Sequence, residues 1–187
     1  MNKLYCDLEF TGLHMKTNAI SIAMLSEDEE NSFYAEFTDF DTLQINPWIK
    51  KNVLDNLLFQ NTSPPYHRIN GNHWELLGDS KFIISGEFGL ATWLKEKFSK
   101  TRLTLTSFGA NYDWVIIRQL FLNTELNPLE YFEIYPYDIA SVFQYLGLNP
   151  NIDGEKEKYA EISGNKHNAL FDCKVARAID KKLESLH

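Results

Sequence analysis

Two carboxylates stand two residues apart in an otherwise apolar stretch, Lys3-Leu4-Tyr5-Cys6-Asp7-Leu8-Glu9-Phe10. Leu4, Cys6, Leu8 and Phe10 alternate with Lys3, Tyr5, Asp7 and Glu9, which is the periodicity of a strand. Residues two apart in a strand share a face, so Asp7 and Glu9 point the same way. Large or apolar residues on both faces mark a central strand. Two carboxylates held there repel by roughly 4 kcal/mol at ~4 Å and an effective dielectric near 20. A raised pKa, a basic partner or a divalent cation would answer that repulsion. For a lone Asp-x-Glu, a solvated strand face is the simpler explanation, so other residues have to decide.

Two further acids fall where acids are unwelcome. Asp113, Ile116, Ile117 and Leu120 lie at spacings of zero, three, four and seven on a predicted helix over 112–121, which puts Asp113 in the apolar stripe. A first-turn aspartate favoured by the helix dipole is its simpler explanation. Asp172 shares a stripe with Ala169, Cys173, Ala176, Ile179 and Leu183 on a predicted last helix over 168–186. Gathered together, Asp7, Glu9, Asp113 and Asp172 form an all-oxygen site suited to Mg²⁺ or Mn²⁺. No Cys/His spacing for zinc is present. Two such ions suit in-line phosphodiester cleavage. His167 lies five residues before Asp172, about 140° away on a continuous helix. From a preceding loop it could reach over the acids and take a proton from an attacking water, a task its ordinary pKa near ~6.5 fits.

The elements that must position these residues follow from periodicity and turn signals. After the opening strand, 18–25 and 32–37 read as second and third strands of an antiparallel meander, joined by an acidic turn. Pro47 opens a predicted helix over 47–58, with Trp48 and Ile49 on its apolar side. Residues 60–78 read as an irregular loop; its Tyr66, His67, Arg68, His73 and Trp74 could form a rim for stacking on bases. Residues 81–85 suggest a short strand, 87–98 an amphipathic helix and 103–108 a fourth strand turning at Gly109. A last strand is expected over 132–139, a helix over 140–146 and a polar loop over 149–166.

Composition sets the outer bounds. The 187 residues allow one domain over 1–187, and 44% hydrophobic with 14% aromatic residues indicate a globular chain. No apolar run approaches a membrane span, and Asp7 and Glu9 interrupt any signal-peptide core, so a cytoplasmic protein with no membrane partner is expected. Cys6 and Cys173 read as small, reduced, buried hydrophobes rather than a disulfide framework. A formal charge of −8 argues against a broad electrostatic grip on long duplex DNA. It leaves room for a nucleic-acid enzyme whose metal ions supply local positive charge.

Taken in order, Asp7-Leu8-Glu9-Phe10-Thr11-Gly12-Leu13, Phe108-Gly109-Ala110-Asn111-Tyr112-Asp113 and His167-Asn168-Ala169-Leu170-Phe171-Asp172 resemble the three motifs of the DEDDh (DnaQ-like) 3′–5′ exonucleases, a branch of the ribonuclease H-like superfamily. Within it, the short stand-alone exoribonuclease-like family of bacteria and phages is the most similar. Asn168 stands where the sister tyrosine branch has its tyrosine, which favours the histidine branch. Phe10 stands where many relatives have threonine. The resemblance implies an α/β ribonuclease H-like fold, with a mixed five-stranded sheet whose first three strands are antiparallel, flanked by helices. It further implies Asp7, Glu9, Asp113 and Asp172 as ligands of two Mg²⁺ or Mn²⁺ ions and His167 as general base. Phe10, Thr11, Gly12 and Leu13, and with them Asn111, become the substrate-binding candidates, an apolar residue wedging against the terminal base. The implied partner is the 3′ end of a single-stranded nucleic acid, RNA ahead of DNA, with a homodimer left open.

Overall fold

In the computed structural model, which describes residues 2–98, 101–151 and 154–185, the alternating opening stretch forms strand β1 (Lys3–Phe10). β2 (Ala19–Ser26) and β3 (Ser32–Phe37) follow as an antiparallel meander, with Asp7 opposite Ala23 and Glu9 opposite Ser21. The β1–β2 register shifts between Glu9 and Phe10; such a bulge bends the strand and re-aims the side chains beyond it. Helix α1 (Pro47–Asn52) is capped by the Asn46 side chain, which accepts the Ile49 N–H at 2.8 Å. It ends sooner than its apolar spacing predicts, and Leu54–Asn56 continue as a 3₁₀ turn.

The stretch expected as an irregular loop is instead a hairpin, β4 (Tyr66–Asn70) and β5 (His73–Gly78). β5 runs parallel to β3, so the sheet has seven strands in the order β4-β5-β3-β2-β1-β6-β7, not five. β4 is the outer edge and is mostly exposed, which is why His67-Arg68-Ile69-Asn70 carry no alternation. The residues expected to form a base-stacking rim are occupied with their own packing. Trp74 is in the core, His67 stacks on Phe88, and the His73 Nδ1 lies 2.8 Å from the Ser32 hydroxyl. β5, β3 and β2 separate β4 from β1, so that rim is remote from the acids.

Residues 81–85, expected as a strand, lie in helix α2 (Ser80–Ser85), started by the Asp79 side chain accepting the Phe82 N–H. Helix α3 (Leu90–Phe98) starts later than predicted. β6 (Thr104–Ser107) pairs parallel with β1 and leads through Gly109, at φ 100°, into helix α4 (Ala110–Asn123). A non-glycine residue there would be held in a disfavoured backbone region. The strand predicted over 132–139 shrinks to β7 (Tyr137–Asp138), parallel to β6, plus an isolated bridge from Phe132 to Leu103. Helix α5 (Ile139–Tyr145) follows. The polar stretch expected as a loop holds a short helix, α6 (Glu155–Ala160). Helix α7 (Ala169–Glu184) is the predicted last helix; Leu186, its predicted end, lies outside the described residues.

The central strands of the sheet are buried on both faces. Leu4, Cys6 and Leu8 pack with residues of α2, α3 and α4, including Ile83, Trp93 and Ile117. Tyr5, Ala23 and Tyr34 pack on the other face with α5 and α7, including Phe143, Cys173 and Ile179. Both cysteines are fully buried, and the Cys173 thiol points at the Ala23 carbonyl. A buried ionic clasp joins β1 to α7: the Lys3 ammonium and the Tyr5 hydroxyl each donate to Asp180 Oδ2 at 2.6 Å. No helix among the described residues is long and apolar enough to cross a membrane.

Candidate metal centre

The site lies at the C-terminal half of β1, where three distant segments meet. β1 presents Asp7 and Glu9 on the face covered by α7. The N-cap of α7 is Asn168, whose side chain accepts the Phe171 N–H at 3.2 Å, and this places Asp172 in the first turn, 5% exposed. Asp113 occupies the first turn of α4 and is equally buried. Its Oδ2 accepts the Ser107 hydroxyl from the end of β6. The turn between β6 and α4 is held by Asp138, whose Oδ1 accepts the Gly109 and Ala110 N–H groups at 3.0 and 3.2 Å. Asp138 also caps α5, through Ala140 and Ser141. One carboxylate thus fixes two helix starts and, through α4, the approach of Asp113.

His167 stands just ahead of α7 with φ +60°, a left-handed conformation uncommon for a non-glycine residue. Its backbone N–H donates to Asp172 Oδ2 at 2.9 Å, and its Nδ1 lies 3.6 Å from Glu9 Oε1. The Trp48 indole meets the imidazole edge-on at 4.9 Å between ring centres. Glu9, His167 and Asp172 each offer a ligand atom, all within 4.8 Å of one another. Asp7 and Asp113 are not part of that tightest group, but their charges reach it.

The electrostatics are those of acids brought together in a dry place. Burial, then the neighbouring Asp172, Glu9 and Asp113, hold the Asp7 carboxyl well above the usual carboxylate range. Burial likewise raises Glu9, against the opposing pull of His167. Asp113 is pushed up to about 7, chiefly by burial, with the Ser107 hydrogen bond working the other way. The Glu9 carboxylate beside Nδ1 raises the pKa of His167, outweighing the burial that lowers it.

Among the described residues Asp7 Oδ2 is buried without a hydrogen-bond partner, and the buried Asp172 Oδ1 faces a lysine ammonium. Leaving an atom such as Asp7 Oδ2 unsatisfied is costly, and hard divalent cations take oxygen ligands of this kind. The donor set therefore fits Mg²⁺ or Mn²⁺. The nearest positive charge is one that sequence reasoning missed: the Lys156 Nζ from α6, 3.1 Å from Asp172 Oδ1 as an ion pair. Within Glu155-Lys156-Glu157-Lys158 nothing distinguished it from a solvated charge run. Ser107, Asp138 and the contact of Trp48 with His167 were missed too, and Trp48, expected on an apolar helix face, is 55% exposed.

The substrate-binding candidates are placed more variously. Phe10 stacks on Tyr112 at 5.6 Å, and Leu13 and Asn111, in the first and second motifs, are exposed. Thr11 is buried, and its hydroxyl donates to Gln44 Oε1 and accepts the Asn18 N–H. The Thr11 N–H is taken by the Asn18 carbonyl and the Gly12 N–H by the Thr17 hydroxyl. Both backbone donors are therefore committed to the turn that follows β1.

No protein-family model matches the sequence, and no curated protein matches it. Among solved structures the chain is similar to the Neurospora crassa Pan2 catalytic unit (protease and nuclease domain), with 13% sequence identity and a TM-score of 0.42. That alignment covers 99% of this chain and 27% of the other, so this chain spans about a quarter of the length of that one.

Proposed function

We propose that this protein is a metal-dependent 3′–5′ exonuclease that releases nucleoside 5′-monophosphates from single-stranded 3′ ends, RNA ahead of DNA. One observation carries the reading. Acids from three separate segments converge on β1 and, among the described residues, leave Asp7 Oδ2 buried with no hydrogen-bond partner, beside a histidine that contacts both Glu9 and Asp172. The mixed sheet, with β1, β2 and β3 antiparallel and β6 and β7 added in parallel, supplies the framework that a ribonuclease H-like fold would require; the β4–β5 hairpin extends it on the far edge.

Asp7, Glu9, Asp113 and Asp172 would hold the ions. Mg²⁺ or Mn²⁺, when bound, supplies positive charge to the phosphodiester and favours ionisation of the attacking water. His167 takes the proton of that water, and Glu9, facing Nδ1, orients the imidazole and stabilises the imidazolium. Exposed Leu13 and the Phe10–Tyr112 stack offer apolar surfaces to the terminal base. The test is a product ladder from matched 5′-labelled RNA and DNA 3′ overhangs with Mg²⁺ or Mn²⁺. The expected result is stepwise shortening from the 3′ end, faster on RNA, abolished by chelation and by a 3′-phosphate. Faster shortening of DNA would reassign the substrate. Rapid cutting of a circular single strand would show an endonuclease, and binding without cleavage would show a non-catalytic module.

A further inference from the structure

Lys156 sits in the middle of the acids without belonging to any of the three motifs. It lies on α6, a short helix bounded by Gly154 at φ +80° and Glu161 at φ +59°. Its Nζ is 3.1 Å from Asp172 Oδ1, and its side chain is 30% exposed against 4% for that of Asp172. The ammonium is also near the Phe108 ring at 5.8 Å, at the end of β6. Its charge acts on Asp7, Glu9 and Asp113 as well as on Asp172. Burial alone would lower its pKa, but these acids keep it raised. Lys156 is therefore a charged ammonium aimed at an oxygen that a metal ion would use.

A single positive charge and a divalent ion cannot both take that oxygen without repelling each other. We propose that Lys156 is a tethered counter-cation that occupies one ion position of the site, so that divalent metal loads only as Lys156 leaves Asp172. The inference rests on the metal-site reading above. The lysine has somewhere to go. A cavity of about 160 Å³ adjoins it, lined among others by Glu157, Lys166 and His167; Glu157 meets Lys166 through Oε1 at 3.7 Å, and its buried Oε2 has no hydrogen-bond partner among the described residues. In the metal-free protein the lysine offsets repulsion among the acids; in the loaded protein it is redundant.

Competition of this kind lowers the observed metal affinity by the fraction of molecules in which the lysine is in place. Removing the charge should therefore tighten metal binding and, in chelator, weaken the fold. The experiment is calorimetric titration of Mn²⁺ into the full chain, wild type and Lys156→Met, with thermal melting of each in chelator and at saturating Mn²⁺. Lys156→Met should bind Mn²⁺ about tenfold more tightly, within the usual range of coupling between two sites. It should melt below wild type in chelator, and the gap should close with metal. Lys156→Gln, of similar length and still polar, serves if methionine does not fold, and Lys156→Arg should keep wild-type affinity. Equal or weaker Mn²⁺ binding by the neutral variants overturns the proposal while leaving the metal site standing. No binding by wild type or variants overturns the metal site and this inference with it.

Discussion

His167 is the residue on which the proposed catalysis and the backbone geometry meet. Its φ of +60° is held by the N–H bond to Asp172 and by the Asn168 cap behind it. A strained residue of this kind persists where its surroundings over-determine it, at about 1 kcal/mol or more. Its two contributions separate by substitution. His167→Ala and His167→Gly should both lose about a hundred- to ten-thousandfold in rate on the preferred oligonucleotide, as loss of a general base does. Glycine accepts left-handed backbone without penalty, so His167→Gly should be more stable than His167→Ala by about 1 kcal/mol in urea unfolding. Wild-type rates in either variant would remove His167 from the chemistry. Equal stabilities would show that its backbone is unstrained.

Among the elements, the turn between β6 and α4 sets the position of Asp113, and it is held by a side chain from elsewhere in the chain. Asp138 accepts N–H groups at the start of α4 and caps α5 as well. Losing one cap typically costs about 1 kcal/mol, and here two helix starts share it. Asp138→Ala should therefore lower unfolding free energy by about 2 kcal/mol and, by displacing Asp113, weaken Mn²⁺ binding by calorimetry and reduce kcat. A variant with wild-type stability would show that the turn holds without it. This scale also shows what the sequence disclosed. β1, β2 and β3 are rich in apolar residues because they are buried on both faces, and the carboxylates of β1 stood out against those neighbours. The β4–β5 hairpin is hard to read because its outer strand faces solvent and lacks alternation; the Gly71-Asn72 turn between its strands is the signal that could have found it. α2 reads as a strand in the sequence because Ile83 and Ile84, adjacent and both buried, carry no period; the Asp79 cap is the better signal. Asp7, Glu9, Asp113, His167 and Asp172 were legible as residues out of place. Lys156 and Asp138 were not, since a lysine in a charged run and an aspartate before a helix are ordinary until the fold gives them partners.

For the molecule as a whole, the acids tie stability to pH. Asp113, held up to about 7 by burial, keeps a proton in the fold that the unfolded chain releases near pH ~3.9. Its contribution to stability is therefore present below that value and lost as pH rises to about 7. The raised pKa of His167 extends the loss in the same direction above its ordinary value. Asp28 and Glu184, lowered by the Ser26 hydroxyl and the Lys3 ammonium, act in the opposite sense as pH falls. Comparing wild type with Asp113→Asn in chelator isolates the site: the variant should show a flatter decline in Tm across that window, and parallel curves would deny the buried carboxyl its proton. The same architecture has a temporal side. The Lys3 and Tyr5 bonds to Asp180 join β1 to α7 and bring Asp7 and Asp172 together, and α7 follows every other described element in the chain. During synthesis β1 therefore emerges long before its partner, and a nascent chain still lacking α7 carries only part of its acid cluster. On the proposed reading, the ribosome makes a nuclease that stays inert beside its own messenger until α7 has emerged and docked.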